Sequence, residues 1–220
     1  MADNKSSVKR ILKDTLALVI ITVVAAAVLG LVREITAGPI AEREAITKQN
    51  AYRQVLPEAE KFAEASEEKA LAEALADSKN ILGTELSKEV TVEDACLAKD
   101  ASGNSVGFVL TVVDKKGYGG DIRMAVGYSL KENKVSGIQF LTIGETAGFG
   151  LNAEKKPEWR KQYYVSGVTE FRVTKSGSTG AGEIDALSGA TITSKAVTNG
   201  VNGAVRFAAE LVKRGIGGAQ

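Results

Sequence analysis

An uncharged apolar segment of 18 residues, at positions 15–32, lies close to the start of the chain. As a helix it would extend roughly 27 Å, which matches the hydrocarbon core of a bilayer. A buried core helix of this length usually has one polar face, which this segment lacks. The apolar region of a cleaved signal peptide is usually shorter, and here apolar residues continue past the alanines at 25–27. We therefore predict one uncleaved transmembrane anchor in contact with membrane lipid.

Basic residues are more frequent before the anchor than after it. Four of them lie in the tail at residues 1–14, whereas Arg33 is the only one among the ten residues that follow the anchor. Positively charged flanks are retained on the cytoplasmic side of a membrane. We therefore expect a single-pass protein of the cell membrane, with a cytoplasmic basic tail at 1–14 and an extracytoplasmic region at 33–220.

The composition excludes several classes of function. The chain has no histidine, so an imidazole base and histidine-ligated zinc or haem are excluded. Its one cysteine, Cys96, excludes an internal disulfide, a four-thiolate iron–sulfur cluster and a CxxCH haem site. The 28 basic and 27 acidic side chains give a net charge of +1 without a basic stripe, so no nucleic-acid partner is expected. We predict no metal site, and any redox chemistry would need an organic cofactor such as a flavin.

The segment that follows the anchor has a helical composition. Residues 39–56 predict a helix with Pro39 in its first turn and an approximate apolar face. Pro57 ends this helix, and the alanine-rich acidic segment at 58–79 predicts a second helix, exposed on the domain surface. We assign residues 33–80 to a helical extension.

The pattern changes to β-strands beyond residue 80. The β-rich runs at 105–113, 122–130 and 134–143 are separated by segments of turn composition, which predicts an antiparallel meander. Residues 170–174 are a fourth candidate strand.

A closing helix is predicted at 194–215, with Thr193 or Ser194 as its N-cap. Its apolar stripe consists of Val197, Val201, Ala204, Val205, Ala208, Leu211 and Val212. The order of helices, then strands, then a helix indicates an α+β domain at 81–220, with a mainly antiparallel sheet and packed helices.

The residues ahead of the closing helix read DALSGATIT. They resemble the D-x-x-[S/T]-G-A-T flavinylation motif of the FMN-binding domain family. Members of that family include the G subunit of Rnf-type ion-translocating electron-transport complexes and the C subunit of the sodium-pumping quinone reductase. In that family a flavin transferase attaches FMN through its phosphate to the last motif threonine, which implies covalent FMN on Thr191. The other cofactor-binding residues implied here are Asp185, Ser188, Gly189, Ala190 and, as a cap or phosphate contact, Thr193.

The residue types are compatible with this chemistry. Thr191 supplies the hydroxyl that a phosphoester needs, and Gly189 and Ala190 leave the neighbouring backbone uncovered. The N-terminus of the following helix offers free N–H groups and a positive dipole end to a phosphate. A small-residue turn that merely caps a helix would also read SGAT, but Asp185 completes the longer motif.

A second segment carries the same resemblance. Residues 144–150, GETAGFG, resemble the family's E-T-P-G-x-G loop, which lies against the flavin, with Ala147 in place of the usual proline. The resemblance implies that Glu145 and Thr146 hydrogen-bond the ring or the ribityl hydroxyls, and that Gly148 permits a close approach. The GYGGDI segment at 117–122 resembles the family's entry into a strand, and we assign it a folding role.

The resemblance implies an electron-transfer protein that relays electrons within an Rnf-type ferredoxin/NAD ion-translocating complex. Its partners would be the other membrane and peripheral subunits and, during maturation, a flavin transferase. No residue has the pattern of a catalytic acid, base or nucleophile, so no complete enzyme activity is expected from this chain alone. The alternatives are the C subunit of the quinone reductase, a membrane-anchored flavin-binding sensor or regulator, and a structural anchor that carries no flavin.

Overall fold

A computed structural model describes residues 2–175, 177–178 and 180–218, so Met1 of the predicted tail and residues 176, 179, 219 and 220 of the predicted domain lie outside the described residues. The chain forms two compact units, of which one ends at Ile46 and the other begins at Thr47. The limits predicted above for the tail, the extension and the FMN-binding domain stay predictions.

Helix α1 spans Ala2–Val55. Its part up to Ile46 forms the first unit, and its last turns, from Thr47 onward, belong to the second unit. An 18-residue window of α1 has a mean hydropathy of 2.8 and is not buried, so the helix is long and apolar enough to cross a membrane. The prediction that a separate helix begins near Pro39 is wrong, because α1 continues through this residue. A proline removes one backbone hydrogen bond, and the flanking turns keep theirs.

The second unit is built on a five-stranded sheet in which every neighbouring pair is antiparallel. Its strands follow the chain order, which confirms the predicted meander and extends it by two strands at the start. They are β1 (Lys61–Glu64), β2 (Val90–Lys99), β3 (Ser105–Asp114), β4 (Ile122–Ser129) and β5 (Lys134–Thr142).

The single exposed helix predicted at 58–79 is wrong. This segment contains β1, helix α2 (Lys69–Ala76) and the start of helix α3 (Ser78–Leu86). Leu71 and Ala74 are fully buried, because this face of α2 packs into the core beside β2.

Helix α6, Thr191–Lys213, covers one face of the sheet. Its predicted stripe is confirmed, since six of the seven residues are buried and Val212 packs at the edge of the core. Between β5 and α6 lie α4 (Asn152–Lys155), α5 (Pro157–Arg160), a 3-10 turn (Lys161–Tyr163) and a two-stranded parallel sheet of β6 (Arg172–Thr174) and β7 (Glu183–Asp185).

The last turn of α1 packs against the opposite face of the sheet. Tyr52 and Val55 are buried there, and the Val55 carbonyl accepts a 2.6 Å hydrogen bond from the Ser136 hydroxyl. Gly127 and Gly137 pair across β4 and β5 beneath this turn. Because neither glycine has a side chain, the backbone of α1 at Val55 can lie directly against the backbone of the sheet.

Asp114 anchors the β3–β4 hairpin from a fully buried position. Its Oδ1 accepts a 2.7 Å hydrogen bond from the Lys116 N–H, whereas Oδ2 has no partner within the described part of the chain. Burial raises the pKa of Asp114 to about 6, and the nearby Glu89 and Asp121 add to the rise, while the Lys116 bond opposes it.

Gly137→Ala should destabilise the second unit, because the new methyl carbon would lie 2.6 Å from the Val55 Cα. We expect the free energy of unfolding to fall by about 1–3 kcal/mol. It can be measured by denaturant titration in detergent, with the fluorescence of the single tryptophan, Trp159, as the signal. Gly180→Ala is the control, since its methyl carbon would be 4.0 Å from the nearest atom. Equal losses in both variants would contradict the close packing.

The raised pKa of Asp114 predicts a pH-dependent stability. Its folded-state pKa of about 6 exceeds the unfolded value of about 3.9, so folding favours the protonated form. The resulting stabilisation of about 3 kcal/mol is fully present below about pH 4 and is lost as the pH rises through 6. Asp114→Asn should remove this part of the pH dependence, as measured by denaturant unfolding at pH 4 and 7. The exposed Asp121→Asn should retain most of it, and an unchanged profile in Asp114→Asn would refute the assignment.

Candidate functional site

Both predicted motif segments line one cavity of about 520 Å³. This volume is in the range of small-molecule binding sites. Three parts of the chain meet there: the β3–β4 turn, the loop after β5 and the first turn of α6. The lining residues are Tyr118, Glu145, Thr146, Phe149, Gly150, Gly189, Ala190, Thr191, Ile192 and Thr193.

The first turn of α6 presents backbone donors at the cavity. The helix begins at Thr191, and its N-cap, Ala190, supplies no side-chain hydrogen bond. The N–H of Ser194 bonds the Ala190 carbonyl at 3.0 Å. This is the first hydrogen bond of the helix, so the N–H groups of residues 191–193 have no acceptor within it. Together with the positive end of the helix dipole, these free N–H groups favour an anion here.

The prediction that Thr193 or Ser194 is the N-cap is wrong, because the helix starts earlier. Ser194 lies inside the first turn, where its hydroxyl accepts a 2.9 Å hydrogen bond from the Leu187 N–H and donates to the Ala190 carbonyl. Ser194 therefore ties the preceding loop to the helix.

The two candidate hydroxyls differ in availability. Thr193 is only 1% exposed, and its hydroxyl donates a 2.9 Å hydrogen bond to Oε2 of Glu145. Thr191 is partly exposed at the cavity, and no residue of the described ranges hydrogen-bonds its hydroxyl. Of the two, Thr191 is the hydroxyl that an incoming phosphate can reach.

Glycines bring the two motif loops into contact. Gly189 has a φ of +72°, and a methyl carbon there would lie 2.8 Å from the Phe149 ring. A side chain at this position would be strained and would also displace Phe149. Gly189 thus lets the loop before α6 lie directly against the loop after β5.

Three predicted site residues do not line the cavity. Asp185 lies in β7, where its N–H bonds Gln162 at 2.8 Å and its carbonyl accepts a 2.7 Å bond from the Trp159 indole. Ser188 and Gly148 are exposed in their loops. Their assignment as cofactor-binding residues stays a prediction.

Four lining residues had no predicted site role, namely Tyr118, Phe149, Gly150 and Ile192. Tyr118 is 71% exposed on the β3–β4 turn, and Ile192 is also exposed, between the two threonines of α6. With Phe149, which is 53% exposed, they form an apolar rim of the cavity. The glycines around Tyr118 were the available signal, since they let this turn approach the loop at Gly144.

The one cysteine lies away from this cavity, beneath the last turns of α1. Burial raises the pKa of Cys96 to about 12, and the Asp94 carboxylate adds to the rise. Glu64 and Asp94 lie beside it, but Lys48 Nζ already pairs with Asp94 at 2.6 Å and with Glu64 at 3.3 Å. This cluster is a structural ion pair under the helix.

Comparison with known proteins gives consistent matches. The sequence matches the FMN-binding domain family over residues 117–206, a range that includes all the residues lining the cavity. It is 33% identical over 207 residues to the G subunit of the Na(+)-translocating ferredoxin:NAD(+) oxidoreductase complex of Acetobacterium woodii, and the match covers 93% of this chain and 95% of that protein. It is 30% identical over 203 residues to the G subunit of the ion-translocating oxidoreductase complex of Methanosarcina acetivorans, covering 92% of this chain and 96% of that protein.

Among solved structures, the crystal structure of Shewanella oneidensis NqrC aligns with a TM-score of 0.46 at 23% sequence identity. The alignment covers 55% of this chain and 61% of that chain.

Proposed function

Because this chain belongs to the family of G subunits of ion-translocating oxidoreductase complexes, we propose that its cavity holds one FMN, joined through its phosphate to the hydroxyl of Thr191. The observation that carries the proposal is the contrast between Thr191, partly exposed with a free hydroxyl, and Thr193, buried and bonded to Glu145. Relative to FMN and the free threonine, the phosphodiester forms with loss of one water.

The residues around the cavity suit the two ends of this cofactor. The phosphate would lie at the first turn of α6, where the free N–H groups at 191–193 and the helix dipole stabilise negative charge. The aromatic side chains of Tyr118 and Phe149 offer apolar surface for a planar ring system. A side chain at Gly150 would collide with Glu145 and Thr193, and one at Gly189 would collide with Phe149, so both glycines let these lining residues keep their positions.

The proposed role is electron relay within an Rnf-type complex, between partner centres on the other subunits. FMN supplies one- and two-electron transfer when bound, and the protein supplies the tether, the surroundings of the ring and the membrane location. Covalent attachment keeps the cofactor from being diluted outside the cell. We expect no complete reaction from this protein alone.

The relatives favour this assembly over the alternatives. Both relatives named above are G subunits, and each match extends over more than nine tenths of this chain. The C subunit of a sodium-translocating quinone reductase would use the same attachment chemistry. A sensor or regulator finds no support in these relatives.

We further propose that α1 crosses the membrane with its N-terminus in the cytoplasm, which would place the flavin domain outside. The apolar, unburied helix α1 and the excess of basic residues ahead of it support this orientation. A flavin transferase acting on the extracytoplasmic side would then complete the protein.

Thr191→Ala should abolish attachment, because it removes the hydroxyl nucleophile, whereas Thr191→Ser should retain it. After co-expression with a flavin transferase, denaturing electrophoresis under ultraviolet light should show a fluorescent band for the wild type and the serine variant and none for Thr191→Ala. Thr142→Ala, an exposed threonine at the end of β5, is the matched control and should stay fluorescent. A band of wild-type intensity in Thr191→Ala would refute Thr191 as the attachment site.

The orientation can be tested by labelling engineered cysteines in intact cells. Ser102→Cys places a thiol in the exposed β2–β3 turn, whereas the native Cys96 is buried and should not react. A membrane-impermeant maleimide should label Ser102→Cys and leave Ser6→Cys, in the basic tail, unlabelled until the membrane is permeabilised. The opposite pattern would place the domain in the cytoplasm.

A further inference from the structure

Glu145 is a buried carboxylate at the point where the three segments of the site meet. It is 7% exposed and lies three residues after the end of β5. Its Oε1 accepts a 3.2 Å hydrogen bond from the Gly119 N–H in the β3–β4 turn. Its Oε2 accepts the 2.9 Å hydrogen bond from the Thr193 hydroxyl in the first turn of α6.

No lysine or arginine of the described chain forms an ion pair with Glu145. Its negative charge lies instead beside the first turn of α6, through Thr193, where the positive end of the helix dipole favours an anion. Bonds in which a carboxylate accepts are stronger than neutral ones, and they are stronger still in a buried position. One side chain thus links a hairpin turn, a loop and a helix.

Two glycines leave space for this carboxylate. A methyl carbon at Gly117 would lie 2.9 Å from Oε1, and one at Gly150 would lie 2.5 Å from Oε2. The backbone therefore surrounds Glu145 closely, and both of its oxygens already have protein donors.

We infer that Glu145 is the positioning residue of the flavin site and does not itself bind the flavin. Its carboxylate holds Thr193, and since Thr191 belongs to the same helical turn, the same bond sets the direction of the Thr191 hydroxyl toward the cavity. This inference rests on the proposed attachment at Thr191. It replaces the expectation that Glu145 hydrogen-bonds the ring or the ribityl chain.

The positioning role can be tested first without flavin, by hydrogen–deuterium exchange of the full-length protein in detergent. Glu145→Ala and Thr193→Val should each accelerate exchange about tenfold at residues 117–120 and 190–194, since a buried charge-assisted bond is lost. Thr198→Val is the matched control. It is the same substitution in the same helix, and it removes a buried hydroxyl that bonds Tyr163 at 2.7 Å.

Thr198→Val should leave exchange at residues 117–120 unchanged. If it accelerates exchange there as much as Thr193→Val does, the effect is a general loosening of α6, and the inference is wrong. It is also wrong if Glu145→Ala leaves the exchange at both segments as in the wild type.

The second test uses the flavinylated protein and the visible circular dichroism of its flavin. Glu145→Ala and Thr193→Val should both change the spectrum, and the double variant should change it no further than Glu145→Ala alone, because Glu145→Ala already breaks the bond to Thr193. Glu145→Gln should restore the wild-type spectrum, since its carbonyl oxygen can accept from Gly119 while its amide donates to the Thr193 hydroxyl. Thr198→Val should not change it.

A direct contact between Glu145 and the flavin predicts a different pattern. Thr193→Val would then leave the spectrum unchanged while Glu145→Ala alters it, or the two effects would add in the double variant, and either result overturns the inference. If the wild type carries no flavin, the proposed function fails, whereas the exchange experiment still decides the role of Glu145 in the free protein.

Discussion

The packing of α6 against the five-stranded sheet is the interaction on which the site depends. Burial of its aliphatic stripe contributes about 1.5–3 kcal/mol for each fully buried valine or leucine side chain. Gly200 allows an approach so close that a methyl carbon there would lie 2.9 Å from the Met124 Cε. Because α6 is held along its length, its first turn has a defined position, and the free N–H groups and Thr191 share that position. The carboxylate of Glu145 then joins this turn to the two loops that complete the cavity.

Local patterns in the sequence predicted the elements in which apolar residues recur regularly. The runs that form β3, β4 and β5 and the stripe of α6 are of this kind, and the structure confirms them. Strand β2 was missed because Glu93 and Asp94 interrupt its apolar pattern, and a register shift between Val92 and Asp94 lets pairing continue past them. Strand β1 was missed because its residues have helical propensity, and pairing with the distant β2 decides their conformation.

In the site, too, the short sequence motifs were predictable, whereas the contacts between residues far apart in the sequence were not. The motif at the start of α6 and the loop after β5 were recognisable as short segments, and the cavity brings them together. The contact between Glu145 and Thr193 joins residues 48 positions apart, so no local pattern contains it. Tyr118 reaches the cavity only because the β3–β4 hairpin folds back beside the loop after β5. The motifs alone assigned Thr193 and Glu145 to the cofactor site; the structure places both at the cavity and adds a hydrogen bond between them that neither motif contains.

The proposed electron relay depends on the bond between a flavin phosphate and Thr191, and fragmentation mass spectrometry of the digested, flavin-bearing protein can locate this bond. The tryptic peptide that ends at Lys195 contains Thr191 and Thr193, and fragment ions that separate these two residues assign the adduct. We expect the mass of FMN minus one water on Thr191, with Thr193 unmodified. An adduct on Thr193, or an unmodified peptide from protein matured with an active transferase, would contradict it.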